Sequence, residues 1–169
     1  MYKADRLYNE MMAIDAAIKE LEVTDEVSLV EYFRLYTSLV YDYKWIGSIY
    51  DFYADDAKVY REDGGLLNGV HEIMKDTLKL TSAFPDFKIQ LRDIFAVKKE
   101  DGYKLWRYYA MEGTNKNVSI YGPATGKALN TDACIGMSMA TVKEISGRWQ
   151  IVREFTMYSI DSIREACQE

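Results

Sequence analysis

Glu154 is the residue with the clearest chemical potential. It lies in Gln150-Ile151-Val152-Arg153-Glu154-Phe155-Thr156-Met157-Tyr158, a run of bulky and β-branched residues that starts from a Ser146-Gly147 turn and reads as a long strand. Strand side chains alternate between faces. One face then carries Trp149, Ile151, Arg153, Phe155 and Met157; the other carries Gln150, Val152, Glu154, Thr156 and Tyr158. A carboxylate, a hydroxyl and a phenol in line between apolar neighbours suit a cavity wall. In a cavity, one carboxylate suffices to move a proton from carbon to carbon, or to remove one before a leaving group departs. On a solvated or subunit-facing surface the same residues carry no chemistry.

Asp132 is the second candidate. Residues 128–145 read as the preceding strand, and Asp132, Cys134, Gly136 and Ser138 form a small, polar set on one face of it. Small residues leave the room a cavity wall requires. Two carboxylates sharing that cavity would repel, which splits acid from base. The plainer reading makes Gly136 a bulge and Asp132 a strand end. Tyr32, Tyr36, Trp45, Tyr53, Tyr108 and Tyr158 form a candidate ring cage with hydroxyl donors, or an ordinary aromatic core. Arg107 and Arg153 are assigned to ion pairs on the sheet face or to a subunit contact. His71 is the only histidine and sits in the first turn of a helix. No His or Cys cluster backs it, so neither a metal nor a cofactor is expected.

These side chains need a scaffold, and 169 residues with 49% hydrophobic and 28% charged composition suit one soluble domain with its own core. A net charge of −6 argues against nucleic acid and anionic membrane as partners. Two widely spaced cysteines make no disulfide framework, no leader opens the chain, and no apolar run is long enough to span a bilayer. A cytoplasmic location is the expectation.

Helical spacing predicts helices over 4–22, 25–42 and 70–83, a short helical piece over 44–53 and a closing helix over 160–166. Leu7, Met11, Ile14, Ile18 and Leu21 form one seam on the first, suited to the chain's own body or to a second subunit. Strands are expected over 57–61, 87–97, 103–114, 128–145 and 147–159, with a loop over 115–127 whose Gly122-Pro123-Ala124-Thr125-Gly126 could act as a lid or as a simple turn. Helices first and an antiparallel meander after give an α+β class.

The pieces "FYADDAKVY", "FPDFKIQLRDIFAV", "GPATGKAL" and "GRWQIVREF", in this order, resemble the NTF2-like superfamily, closest to its SnoaL-like polyketide cyclases, with ketosteroid isomerase and phenazine-biosynthesis proteins as cousins. The resemblance covers roughly residues 28–165. It implies a cone-shaped, cystatin-like fold: a curved antiparallel sheet around three helices, with a pocket between them. It places residues 25–169 in the domain and 1–24 in an N-terminal helical extension. It also implies a homodimer paired through the sheet face. In such cyclases the last strand resembles V-x-H-x-D, with the Asp as acid/base; here Val152, Glu154 and Thr156 occupy those positions, so Glu154 replaces the His and Thr156 the Asp. The isomerase base falls at Arg61 and its donor near Ser138, so neither constellation is intact.

The resulting expectation is a pocket for a hydrophobic or aromatic small molecule. Glu154 and Asp132 are the catalytic pair for cofactor-free cyclisation, isomerisation or dehydration. Tyr32, Tyr36, Trp45, Tyr53, Tyr108, Cys134, Ser138, Thr156 and Tyr158 contact the substrate. A non-catalytic binding or carrier protein on the same fold is the alternative, favoured by Thr156, and a purely structural dimerisation module is the third reading.

Overall fold

The structure, a computed structural model, describes residues 3–168. Positions 1, 2 and 169, the outermost of the two expected segments, lie outside the described residues. Five α-helices and six strands follow in the order α1 (Lys3–Glu20), α2 (Glu26–Tyr41), a 3-10 turn (Ile46–Ser48), α3 (Ile49–Phe52), β1 (Tyr53–Arg61), β2 (Leu66–Asn68), α4 (Val70–Ala83), β3 (Lys88–Lys99), β4 (Gly102–Glu112), β5 (Ile135–Ile145), β6 (Arg148–Tyr158) and α5 (Ile160–Ala166).

Local chemistry sets the boundaries. Asp25 caps α2: its carboxylate accepts from the Ser28 amide at 2.8 Å, and the Ser28 hydroxyl accepts from the Asp25 amide at 3.0 Å. Each bond satisfies a donor that a helix start would leave open. The apolar stripe of α2, including Leu29, Phe33, Tyr36, Leu39 and Val40, is buried against the sheet. Helix α1 packs on the same body. Ile18 is buried, Met11, Ile14 and Leu21 lie against the core, and Leu7 near the other end of the seam stays exposed.

The sheet runs β2-β1-β6-β5-β4-β3, so β2 and β3 are its open edges. The pairings are antiparallel except β1 with β6, which is parallel. The fold class is the expected α+β cone, with one parallel pairing in an otherwise antiparallel sheet. Strand β1 begins earlier than expected, at Tyr53, and the short β2 has no counterpart in the sequence reading.

Two irregularities decide which residues face inward. In β6 the register shifts between the pairs Thr141–Arg153 and Val142–Ile151, so Val152 is an extra residue. Ile151 and Glu154, three apart, are therefore both buried. Strict alternation puts them on opposite faces, and the bulge corrects that. In β3 a similar shift falls between Leu91 and Asp93.

The start of β5 departs from expectation more sharply. Residues 128–134 are loop and turn, not strand. The Asn130 side chain accepts from the Asp132 amide at 3.1 Å, and the Asn130 carbonyl accepts from the Cys134 amide at 2.7 Å. An Asx-type turn here offers the backbone a local alternative to the ladder, and it prevails over strand propensity.

Candidate functional site

Glu154 is 4% exposed and lies inside the cone. Two elements supply donors to it, and a third steadies one of them. Tyr53, the first residue of β1, donates its hydroxyl to Glu154 Oε2 at 2.7 Å. Arg107 of β4 donates Nη2 to Oε1, and its Nε donates to Ser138 Oγ of β5 at 3.0 Å. Both oxygens of the carboxylate thus meet donors, and the guanidinium is fixed from a second side.

Arg107 reaches Glu154 by crossing a whole strand. It pairs with Ser138 across the ladder, and Ser138 pairs with Thr156 of β6, so two strand spacings, about 10 Å, separate β4 from β6. The crossing is open because β5 offers only Ser138 and Ala140 beneath it. Gly136, two residues earlier, lies against the Tyr109 ring, which a Cβ there would meet at 2.3 Å. The small set on β5 therefore does leave room, and Arg107 and Tyr109 fill it.

The cavity next to Glu154 has a volume of about 100 Å³. Tyr36, Tyr41, Tyr53 and Tyr109 supply rings; Leu67, Ile73, Leu80, Phe87, Ile89 and Leu91 supply apolar walls. Four charged side chains line it: Arg107, Glu154, Arg61 and Asp76. Arg61, at the end of β1, pairs with Asp76 of α4 and lies over the Tyr158 ring at 4.8 Å from its centroid. Thr156 faces the cavity, with its Oγ1 3.4 Å from the Tyr109 hydroxyl.

Burial, and then the Glu154 carboxylate beside it, pushes the Tyr53 phenol well above its ordinary range. It therefore stays a donor. Burial likewise raises Tyr36 well above that range and takes Tyr41 up to about 12. For Arg107 burial alone would favour the neutral form; the adjacent Glu154 carboxylate outweighs it, and the net shift is upward. Chemically, the site is a buried carboxylate held by a permanent cation and a neutral phenol, with neutral phenols around a space the size of one small ring.

Of the sequence candidates, Glu154, Tyr36, Tyr53, Thr156 and Tyr158 line this cavity. The others do not. Asp132 sits in the turn before β5, with its side chain 91% exposed and 3.7 Å from Arg92, so it cannot share a dry space with Glu154. Tyr108 is on the outer face, opposite Met137; its neighbour Tyr109 takes the inward position. Cys134 is fully buried in a second core cluster with Phe84 and Ile163, and burial raises its thiol to about 11. Ser138 lies behind Arg107 as its anchor. Tyr32 and Trp45 line a separate groove beside α1 with Phe52 and Trp149.

Arg107, Asp76 and Tyr109 are site residues that the sequence reading did not place here, and Arg61 entered it only as the position of the isomerase base. A signal existed for the first. Tyr103, Leu105, Arg107, Tyr109 and Met111 share one parity, so Arg107 is a lone cation on an apolar face. Asp76 likewise follows Ile73 by three and precedes Leu80 by four on the inner stripe of α4. Among the described residues no group of three or more His, Cys, Asp or Glu side chains is placed to hold a metal ion.

The fold is the one seen in solved SnoaL-like polyketide cyclases and in a protein with a cystatin-like fold. Solved structures with the same fold include a candidate polyketide cyclase from Xanthomonas campestris pv. campestris (TM-score 0.59, 18% identity, covering 80% of this chain and 93% of that one). A SnoaL-like polyketide cyclase from Agrobacterium tumefaciens is similar at TM-score 0.55 and 12% identity, over 80% of this chain and 95% of that one. A candidate scytalone dehydratase from Novosphingobium aromaticivorans is similar at TM-score 0.58 and 13% identity, over 77% and 81%. No family model matches the chain, and no curated protein matches it in sequence. At these identities the shared property is the fold, which hosts unrelated chemistries. No helix among the described residues is long and apolar enough to cross a membrane.

Proposed function

We propose that this chain binds a hydrophobic, ring-bearing small molecule in the cavity and carries out cofactor-free acid/base chemistry on it. The observation that carries the reading is the buried Glu154 carboxylate at the cavity wall, held between Arg107 and the Tyr53 hydroxyl. Glu154 takes a proton from a carbon next to a carbonyl. As the carboxylate is neutralised, the Arg107 guanidinium and a phenol such as Tyr36 stabilise the negative charge that develops on the carbonyl oxygen. Return of the proton to another carbon is isomerisation; attack of the enolate carbon on a second carbonyl is cyclisation; loss of a β-hydroxyl as water is dehydration. Asp132 has no part in this chemistry, and Arg107 takes the orienting role. The polyketide cyclases and the dehydratase of the same fold are consistent with this class.

The test uses phenylacetone, a single-ring enolisable ketone, in D2O. Proton NMR follows loss of the signal from the carbon between ring and carbonyl. The expected result is exchange above the buffer rate that falls about a hundred-fold or more in Glu154→Gln. Exchange that is unchanged in that variant, or absent with the wild-type chain across a panel of aryl ketones, sinks the catalytic reading.

A second reading, a non-catalytic binder, draws on a different observation: both carboxylates of the cavity are already committed to arginines. Ligand binding without any exchange selects it. The chain is further proposed to form a homodimer through the outer sheet face, where Phe95, Met137, Phe155 and Met157 stand 42–55% exposed. The two free, buried thiols suit a cytoplasmic setting.

A further inference from the structure

We propose that the Arg61–Asp76 pair sets the charge class of the ligand, so that the cavity takes uncharged molecules and rejects carboxylates and cations alike. The inference rests on the reading of this cavity as a ligand site, and it adds which ligands enter and which residues choose them.

Although the chain carries a net charge of −6, the cavity carries none. Its lining holds two guanidiniums and two carboxylates, and they are matched in pairs. The two pairs differ in how firmly they are held. The side chains of Arg107 and Glu154 are 11% and 6% exposed, with Ser138 and Tyr53 as additional anchors. Those of Arg61 and Asp76 are 17% and 26% exposed. Arg61 has the Tyr158 ring beneath it, and the Asp76 carboxylate is held by Arg61. The more solvated, less anchored pair is the one an incoming ligand contacts first.

Position reinforces this. Arg61 lies opposite Thr156 in the parallel ladder, and Val59 lies opposite Glu154. The Glu154 carboxylate is thus offset from Arg61 by two residues along the strands, about 7 Å, with Thr156 on the Arg61 rung. A one-ring molecule spans that distance. A carboxylate on it would have to displace Asp76 from Arg61, leaving one of two anions unmatched in a partly dry space. A cation would face the mirror problem with Asp76. Asp76 therefore works by repulsion, a common route to specificity.

Benzamide, benzoate and benzamidinium share one shape and differ in charge. Dissociation constants for the three are measured at pH 7 by ligand-observed NMR, with folding of every variant checked by near-UV circular dichroism. The wild-type chain is expected to bind benzamide at least about ten-fold more tightly than either ion. Asp76→Asn frees Arg61 and should shift the benzoate-to-benzamide ratio about ten-fold toward benzoate. Arg61→Gln frees Asp76 and should shift the ratio toward benzamidinium by a similar factor. The two variants have opposite signs, so either one alone suffices if the other does not fold. Wild-type preference for benzoate, or ratios that do not move in a folded variant, overturns charge selection and leaves the ligand site standing. Failure of the wild-type chain to bind any of the three overturns the ligand-site reading itself.

Discussion

Arg107 and Glu154 bind each other in a place with little water, and that sets what happens when one is removed. Truncating Arg107 leaves a buried carboxylate with only the Tyr53 hydroxyl, and leaves Ser138 without its donor. Breaking a buried pair from one side typically costs about 3–5 kcal/mol. Arg107→Ala is therefore expected to lower unfolding free energy by about 3 kcal/mol or more in a urea titration, well beyond a surface arginine control such as Arg34→Ala. A loss under about 1 kcal/mol, the range of surface ion pairs, would mean that water reaches Glu154 freely.

At the scale of elements, β5 exists in its observed form because it is narrow where its neighbours are wide. The Tyr109 ring occupies the space a side chain at Gly136 would need. Gly136→Ala must push that ring toward the cavity or open the β4–β5 ladder. Overpacking of this kind typically costs about 1–3 kcal/mol, and the expected signature is a lowered melting temperature together with weakened ligand binding. Unchanged binding in a folded Gly136→Ala variant would mean that Tyr109 does not bound the ligand space.

The segment joining α4 to β3 has its own anchor. Asp86 accepts from the Thr114 amide at 2.8 Å and from Lys116 at 2.6 Å, which ties this segment to the loop after β4. Burial opposes ionisation there, but the Lys116 and Thr114 donors outweigh it and hold the carboxyl at about 2, below its ordinary 3.8. A depressed folded-state value stabilises the fold above the ordinary one, and that contribution is lost as pH falls through about 2. The melting temperature should thus fall from about pH 4 to about pH 2 more steeply in the wild type than in Asp86→Asn. Parallel curves would assign acid sensitivity elsewhere.

At the scale of the whole molecule, the sheet is apolar on both faces. The inner face packs on α2; the outer face shows Phe95 stacked on Trp106, and Tyr60 stacked on Phe155 with Arg153 against both rings. A soluble monomer seldom leaves a large patch of that kind open. Light scattering after size exclusion is expected to give twice the 19.6 kDa chain mass, and Phe155→Glu to return it to one chain. A monomeric wild type at micromolar concentration would refute sheet-face pairing.

Sequence by itself determined the helices and the body of five strands, though not the short β2, and put Glu154 forward as a candidate. Helical seams, the Asp25 cap and the turn at Ser146-Gly147 are local, so their physics is complete within a few residues. The lone carboxylate among strand apolars is local too. Tertiary structure alone decided the company Glu154 keeps. A bulge at Val152 set which neighbours share its face, since one extra residue inverts alternation and leaves no mark in composition. An Asn130 turn removed Asp132 from the strand and from the site. Arg107 reached the carboxylate across β5, and Arg61 met Asp76 between a strand and a helix, through register and helix docking. Those contacts join residues 15 to 47 positions apart, and no short-range pattern specifies which long side chain will bridge two strands.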